Sequence, residues 1–200
     1  EDGMKRMLYR SFDMISFLAV AMAFGVAAVG YKLAPFFYGQ GFGPVGPAMM
    51  IESIVIVMIS WSNTIGQQYL VPTNRMKDYT ISVVLGSVIN LIVNFLFIRL
   101  WGLDGAMWAT VLSETIVTGY QLVCTRKIFK WRQLFKNVPK YIIAGIAMFI
   151  PVFIMNVRLH PSVVTLSLEV LIGAVIYGGM IVLLRPTSLD FIFRSIKKRK

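Results

Sequence analysis

The stretch "ISVVLGSVINLIVNFLFI", residues 81–98, decides the fold, because it is long, apolar and free of charged side chains. A helix of about 20 such residues crosses a lipid bilayer. Two asparagines interrupt the run, Asn90 and Asn94, and their spacing of four places both amides on one face of a helix. Because an amide is costly against lipid, this face is predicted to meet a polar partner or a water-filled space.

The rest of the chain repeats this apolar pattern. Of its 200 residues, 57% are hydrophobic and only 14% are charged, whereas soluble domains carry about 25% charged residues. Mean hydropathy is +0.72. The fold class is therefore predicted to be all-α, a polytopic membrane protein with six transmembrane helices. Turn-forming residues, among them "WGLDG" at 101–105, separate most of these helices, which are predicted at about 12–33, 47–70, 79–100, 105–125, 139–157 and 162–184.

The basic residues predict the orientation of the six helices. If the spans alternate across the membrane, all but three of the 20 lysines and arginines fall on one side, the exceptions being Lys32, Arg99 and Arg158. The positive-inside rule then puts both ends of the chain, including a basic tail after the last span, in the cytoplasm. The net charge of +11 follows from this topology.

The segment "RKIFKWRQLFK", residues 126–136, interleaves basic and aromatic residues. This pattern also occurs in nucleic-acid-binding proteins, but four apolar side chains recur here at helical spacing with cations between them. The favoured interpretation is an interfacial amphipathic helix on anionic membrane lipids, with no nucleic-acid partner. The apolar positions are Ile128, Trp131, Leu134 and Phe135.

The first residues, "EDGMKRMLYRSFD", are typical of a loop rather than of an initiation region or a signal peptide. They suggest that the chain is the C-terminal part of a longer protein. A single cysteine, Cys124, excludes an internal disulfide and a cysteine-rich metal site.

Polar side chains follow one face on each of the second, third and fourth predicted spans. Hydrogen bonds that hold helices together explain any one of them. Stripes on three consecutive helices also favour a polar cavity, with the fifth and sixth spans more peripheral. The stripes are Glu52, Ser60, Asn63 and Gln67; Ser82, Gly86, Asn90 and Asn94; and Thr110, Glu114, Thr118 and Gln121.

The sequence contains no catalytic or cofactor motif in the structural context that such a motif requires. "GFGPVG" at 41–46 matches a dinucleotide fingerprint only literally, since it follows a membrane helix rather than a strand. The sequence contains no Walker A motif, and the single histidine, His160, stands beside Pro161 without a metal-ligand partner. The chain is therefore predicted not to be an enzyme, and no metal site, catalytic residue or cofactor is predicted.

The segment "QQYLVPTNRMKDYTISVVLGSVINLIVNFLFIRLWGLDGAMWATVLSET", residues 67–115, resembles the C-terminal half of bacterial polysaccharide and oligosaccharide flippases of the Wzx type, which translocate O-antigen or capsule repeat units. These proteins share a superfamily with lipid II flippases and MATE exporters. The resemblance covers residues 5–130, a segment of four helices, while residues 131–200 add two helices with little signature. The matching elements are Gln68, Leu70 and Pro72; Gly86, Asn90 and Asn94; Gly102, Gly105 and Ala106; and Ser113 with Glu114.

The resemblance implies a two-lobed flippase of which this chain is the last six of fourteen helices. The implied function is translocation of polyprenyl-diphosphate-linked oligosaccharides across the bacterial cytoplasmic membrane by alternating access. The implied partners are the lipid-linked substrate, membrane lipids, the N-terminal lobe of the same protein, a polysaccharide polymerase and glycosyltransferases. The residues predicted to line the cavity are Asn63, Gln67, Asn90, Asn94, Thr110, Glu114 and Thr118, and the candidate ion-coupling residues are Glu114 and Glu52.

Three other functions stay open on the sequence. A MATE-type drug or cation antiporter shares the helical pattern, a lipid II flippase shares the polyprenyl chemistry, and a non-transport membrane scaffold explains the polar stripes as helix contacts alone.

Overall fold

The computed structural model describes residues 2–186, apart from the side chains of Asp2 and Gln40, and it is built of helices. Five helical segments in this part are long and apolar enough to cross a membrane. Their order is α1 (Asp2–Tyr38), α2 (Val45–Ile65, extended by a π-helical turn Gly66–Leu70), α3 (Met76–Thr125), the short α4 (Trp131–Leu134), α5 (Val138–Arg158) and α6 (Val163–Leu184). The all-α membrane fold is confirmed.

The third helix accounts for two of the six predicted spans. It is 50 residues long, about 75 Å if straight, which is more than twice the thickness of the bilayer core. Gly102 interrupts it with φ 58° and ψ −127°, a conformation that only glycine adopts readily. We call the two arms α3a (76–101) and α3b (103–125).

Contacts between the arms show that they fold back as an antiparallel hairpin. Asn90 on α3a donates a hydrogen bond to Ser113 on α3b, and Gln121 on α3b donates one to Ser82 on α3a. In each pair the two residues are equally far along the chain from the turn, as expected for two antiparallel arms. Glycine permits the close approach: a Cβ at Gly86 would overlap the Val117 side chain. The six predicted spans therefore correspond to five continuous helical segments. One of these, α3, contains two predicted spans and reverses direction at the predicted "WGLDG" turn.

Helix α1 lies at the centre and separates two halves of the bundle. On one side it packs against α2, which in turn packs against α3. On the other side it packs against α5 and α6 around a common apolar core. That core contains Val20, Ala28, Tyr141, Ala144, Met148, Val152, Tyr177 and Ile181. We call α1, α5 and α6 the closed half, and α2 with the hairpin the cavity half.

Polar groups in the closed half are buried and bonded to each other. Asn156 on α5 donates to Glu169 on α6 at 2.9 Å, with side chains 1% and 2% exposed. The Lys32 ammonium of α1 donates to the carbonyls of Val157 and Leu159 at 2.6 and 2.7 Å, which satisfies the end of α5. The last two spans were predicted to be peripheral to the cavity. In the structure they pack tightly on α1.

The basic end of the bundle, where α1, α3a and α5 begin, is sealed by an aromatic cluster. Phe12 stacks on Trp61 with ring centroids 5.7 Å apart, and Phe129 meets Tyr69 at 4.7 Å. This packing explains why two predictions from the sequence are wrong. The first residues are helical from Asp2 rather than a loop, because Leu8 and Phe12 are buried in the cluster.

The second correction concerns residues 126–136, where the sequence predicts a continuous interfacial helix. Only Trp131–Leu134 is helical. Phe129 and Leu134 turn inward and are 2% and 3% exposed, while Trp131 stays outside. The predicted basic tail after residue 186 lies outside the described residues.

Candidate functional site

A polar cavity of about 720 Å³ opens on the cavity half of the bundle. Residues of α2 and of both arms of α3 line it. Its lining residues are Ile59, Ser62 and Asn63 on α2; Tyr79, Val83, Gly86, Ser87, Asn90, Leu91 and Asn94 on α3a; and Thr110, Ser113, Glu114, Val117 and Gln121 on α3b.

The two asparagines of α3a form one chain of hydrogen bonds along the cavity wall. Asn94 donates through Nδ2 to Asn90 Oδ1 at 2.8 Å, and Asn90 donates to Ser113 Oγ at 3.1 Å. Ser113 Oγ in turn donates to the Thr110 carbonyl at 2.9 Å. Asn90 therefore links α3a to α3b while also lining the cavity. Within the described residues, the Asn94 side-chain oxygen accepts no protein hydrogen bond and stays open to the cavity.

A second chain of hydrogen bonds lies at the basic end of the cavity. Gln121 is 1% exposed and donates through Nε2 to Ser82 Oγ at 3.0 Å. Ser82 in turn donates to the Tyr79 carbonyl at 2.6 Å, so the amide orientation of Gln121 is fixed. Its other side-chain atom, Oε1, is buried with no partner among the described residues.

The basic end of the cavity is closed by a contact between α2 and α3a. The Tyr79 ring and the Gln121 amide lie against Gly66, where a Cβ would come within 2.8 Å of the ring. Gly66 begins the π-helical turn, and such turns occur frequently at functional sites.

Two acidic residues lie on different helices of the cavity half. Glu114 on α3b lines the cavity, and Glu52 is on α2, which packs against α3. Glu52 Oε2 is buried without a hydrogen-bond partner, and within residues 2–186 neither carboxyl forms an ion pair.

The structure brings together five of the residues predicted to line a cavity: Asn63, Asn90, Asn94, Thr110 and Glu114. Thr118 lies elsewhere, 3% exposed, and its hydroxyl donates to the Met58 carbonyl of α2 at 2.9 Å, so it joins helices. Gln67 is exposed beyond the cavity and reaches it only through a 3.3 Å bond to Asn63. Glu52 is not among the residues that line the cavity.

Sequence reasoning did not select Ser62, Ser113 and Gln121 as site residues. Ser113 and Gln121 carried a signal, since one belongs to the "SE" element and the other to the polar stripe of the fourth span. Ser62 carried none, because serine is common in membrane helices as a small packing residue. The described residues contain no cluster of three or more metal-ligating side chains.

Comparisons with known proteins find two distant relatives. The chain is 22% identical to the lipid II flippase MurJ of Bacillus subtilis over an alignment of 206 residues, which covers 98% of this chain and 38% of that protein. It is 26% identical to the uncharacterized membrane protein MJ1068 of Methanocaldococcus jannaschii over 181 residues, covering 90% of the chain and 34% of that protein.

The chain thus spans little more than a third of the length of the curated relatives it matches. No family model matches it, and no solved structure matches it. The similarity is distant and, with the apolar helices, supports a multi-pass membrane protein.

Proposed function

We propose that this chain is the C-terminal part of a flippase that moves polyprenyl-diphosphate-linked oligosaccharide repeat units across the bacterial cytoplasmic membrane for surface polysaccharide synthesis. The observation that carries the proposal is the polar cavity, in which amides, hydroxyls and a carboxyl from three membrane-crossing helices face one space. A sugar headgroup needs such hydrogen-bonding groups at membrane depth, while the lipid tail stays in the bilayer. Similarity to a lipid II flippase along almost the whole chain supports the polyprenyl chemistry.

The cavity residues take distinct roles in this proposal. Asn94 offers its open side-chain oxygen to headgroup hydroxyls, and Asn63 and Thr110 extend the same polar surface. Asn90 holds the wall in place through Ser113.

Glu114, together with Glu52, is the proposed ion-coupling group. Burying a carboxylate without a partner is costly, so binding of a proton or cation at this pair stabilises one conformation relative to another. A gradient of that ion then biases the alternating-access cycle.

The complete transporter requires the remaining lobe of the same protein, with both ends of this chain in the cytoplasm as the basic residues predict. A polysaccharide polymerase and glycosyltransferases are the proposed partners, because they consume and supply the lipid-linked repeat unit. No metal or organic cofactor enters the proposal.

A lipid II flippase is the second candidate, and the similarity to MurJ specifically favours it. Both substrates place a sugar on polyprenyl diphosphate, so the same cavity chemistry serves either one.

Reconstitution of the complete gene product in proteoliposomes tests both candidates. We expect faster translocation of a fluorescent undecaprenyl-diphosphate-linked oligosaccharide than in empty liposomes, and loss of that acceleration in Asn94→Leu. Acceleration of lipid II alone would establish the second candidate. Acceleration of neither substrate would refute both.

A further inference from the structure

The cations of residues 126–136 differ from those at the opposite end of the bundle. At the end opposite the aromatic cluster, Lys32 donates its ammonium to two backbone carbonyls, and the Arg99 guanidinium lies 4.0 Å from the centre of the Phe95 ring. Two of the three cations at that end are therefore engaged within the protein itself.

At the basic end, the corner between α3b and α5 leaves its cations unengaged. Five basic side chains in 126–136 are exposed, and within residues 2–186 none of them forms an ion pair or a side-chain hydrogen bond. These side chains are Arg126, Lys127, Lys130, Arg132 and Lys136. The segment contains no acidic residue that would neutralise them.

The backbone of this corner is held in place from inside. Phe129 and Leu134 are buried in the aromatic cluster, and the Lys130 amide donates to the Tyr9 hydroxyl at 2.9 Å. With the apolar residues fixed inward, the cations point outward from a preformed turn. They therefore need not lose backbone freedom when they bind an anion.

An exposed tryptophan lies among these cations. Trp131 stands between Lys130 and Arg132 and is 44% exposed. The amphipathic ring of tryptophan favours the headgroup level of a membrane, and the corner connects two membrane-crossing helices at their ends, where headgroups are found.

We propose that the 126–136 corner is a binding surface for the headgroups of anionic phospholipids, with Trp131 anchored between the lipids and the flanking cations on their phosphates. Each basic side chain near an anionic surface strengthens such binding, and the effect falls with ionic strength. This assignment is independent of what the cavity transports.

The test measures which lipids stay with the complete gene product in nanodiscs made from equal parts of phosphatidylglycerol and phosphatidylcholine. The Lys130→Gln/Arg132→Gln variant removes the two cations beside Trp131. The Arg99→Gln/Arg158→Gln variant removes the same number of charges at the other end and serves as the matched control. Native mass spectrometry reads the ratio of the two retained lipids.

We expect the wild-type protein to retain phosphatidylglycerol preferentially, the corner variant to lose about tenfold or more of that preference, and the control to keep it. Equal retention by the wild-type protein and the corner variant would overturn the proposal. An equal loss in both variants would also overturn it, because net charge alone would then explain binding. Corner-dependent retention of a 20-base-pair DNA duplex without any preference for phosphatidylglycerol would replace the lipid with nucleic acid.

Discussion

The closed half and the cavity half of this bundle contain similar polar residues and use them in opposite ways. In the closed half, Asn156 and Glu169 are both buried, and Asn156 donates a hydrogen bond to Glu169. In the cavity half, Asn90 bonds across the hairpin while Asn94 and Glu114 keep groups open to a shared space. The difference suggests a criterion for an amide or carboxyl in a membrane helix. Such a group is structural when its hydrogen-bonding atoms meet other protein groups, and it is a candidate functional group when some of them face a cavity.

Glycine placement separates the halves as well. The hairpin depends on contacts that exclude any side chain, such as Gly105 against the Phe97 carbonyl. In α5, by contrast, a Cβ at Gly145 would overlap the side-chain ring of Phe24 on α1. The cavity half is thus shaped by backbone proximity, and the closed half by interlocking side chains.

The largest expected effect on stability comes from disturbing the hairpin. Gly105→Ala places a methyl group against backbone atoms of Phe97 that are unable to move aside, so we expect the free energy of unfolding to fall by about 3 kcal/mol. Titration with sodium dodecyl sulfate in mixed micelles measures this loss. Gly119→Ala, on the same arm with open space around it, is the control and should change little. Equal stability of the two variants would contradict the hairpin packing.

The next effect comes from breaking the buried pair of the closed half. Asn156→Ala leaves the Glu169 carboxyl without its donor, and we expect a loss of about 1–3 kcal/mol in unfolding free energy. Glu169→Gln retains an acceptor for Asn156 and should be milder. Transport per folded molecule should be unchanged in both variants. Transport that fell further than folded protein levels would place this pair in the functional machinery.

A smaller effect on stability is expected from the asparagines, and it should differ between them. Asn90→Ala removes a bond between two helices and should lower the unfolding free energy by about 1 kcal/mol. Asn94→Ala removes only a bond to its own helix and should lower it less. Both should slow transport. Equal stability losses with normal transport in both variants would make the asparagines helix contacts and nothing more.

The smallest change in stability should accompany the largest change in transport. Glu114→Gln keeps the size and polarity of the side chain, so we expect unfolding to be nearly unaffected. Transport should fall by an order of magnitude or more, because the group that holds the ion is gone. A flux assay in proteoliposomes with an imposed proton or sodium gradient measures it. Gradient-driven transport at the wild-type rate would remove Glu114 from ion coupling.

Much of the fold follows from the sequence because membrane helices carry strong local signals. The predicted ends at 139–157 and 162–184 lie within one residue of α5 and α6. The predicted turn at residues 101–105 contains Gly102, whose positive φ reverses the chain. The helical start at Asp2 was missed, because it depends on burial of Leu8 and Phe12 against residues that are distant in the sequence, such as Ile65 and Phe129.

The candidate site was less predictable, since its membership depends on how helices are rotated against each other. Helical spacing placed Glu114 and Thr118 on one face of α3b, yet Glu114 faces the cavity and Thr118 faces the α2 backbone. The same limit explains why Ser113 and Gln121 were not selected. Their roles arise from the pairing of α3a with α3b, and no local pattern in either arm encodes that pairing.

The central claim is that the amides of α3a face a space that water and polar substrates reach, while those of the closed half do not. Thiol labelling tests it most directly in the complete gene product with Cys124 replaced by serine. A small, membrane-impermeant, water-soluble reagent should label Asn94→Cys when applied to inverted vesicles or to intact cells, and should spare Asn156→Cys. If neither Asn90→Cys nor Asn94→Cys were labelled from either side of the membrane in any transport state, the account would be contradicted.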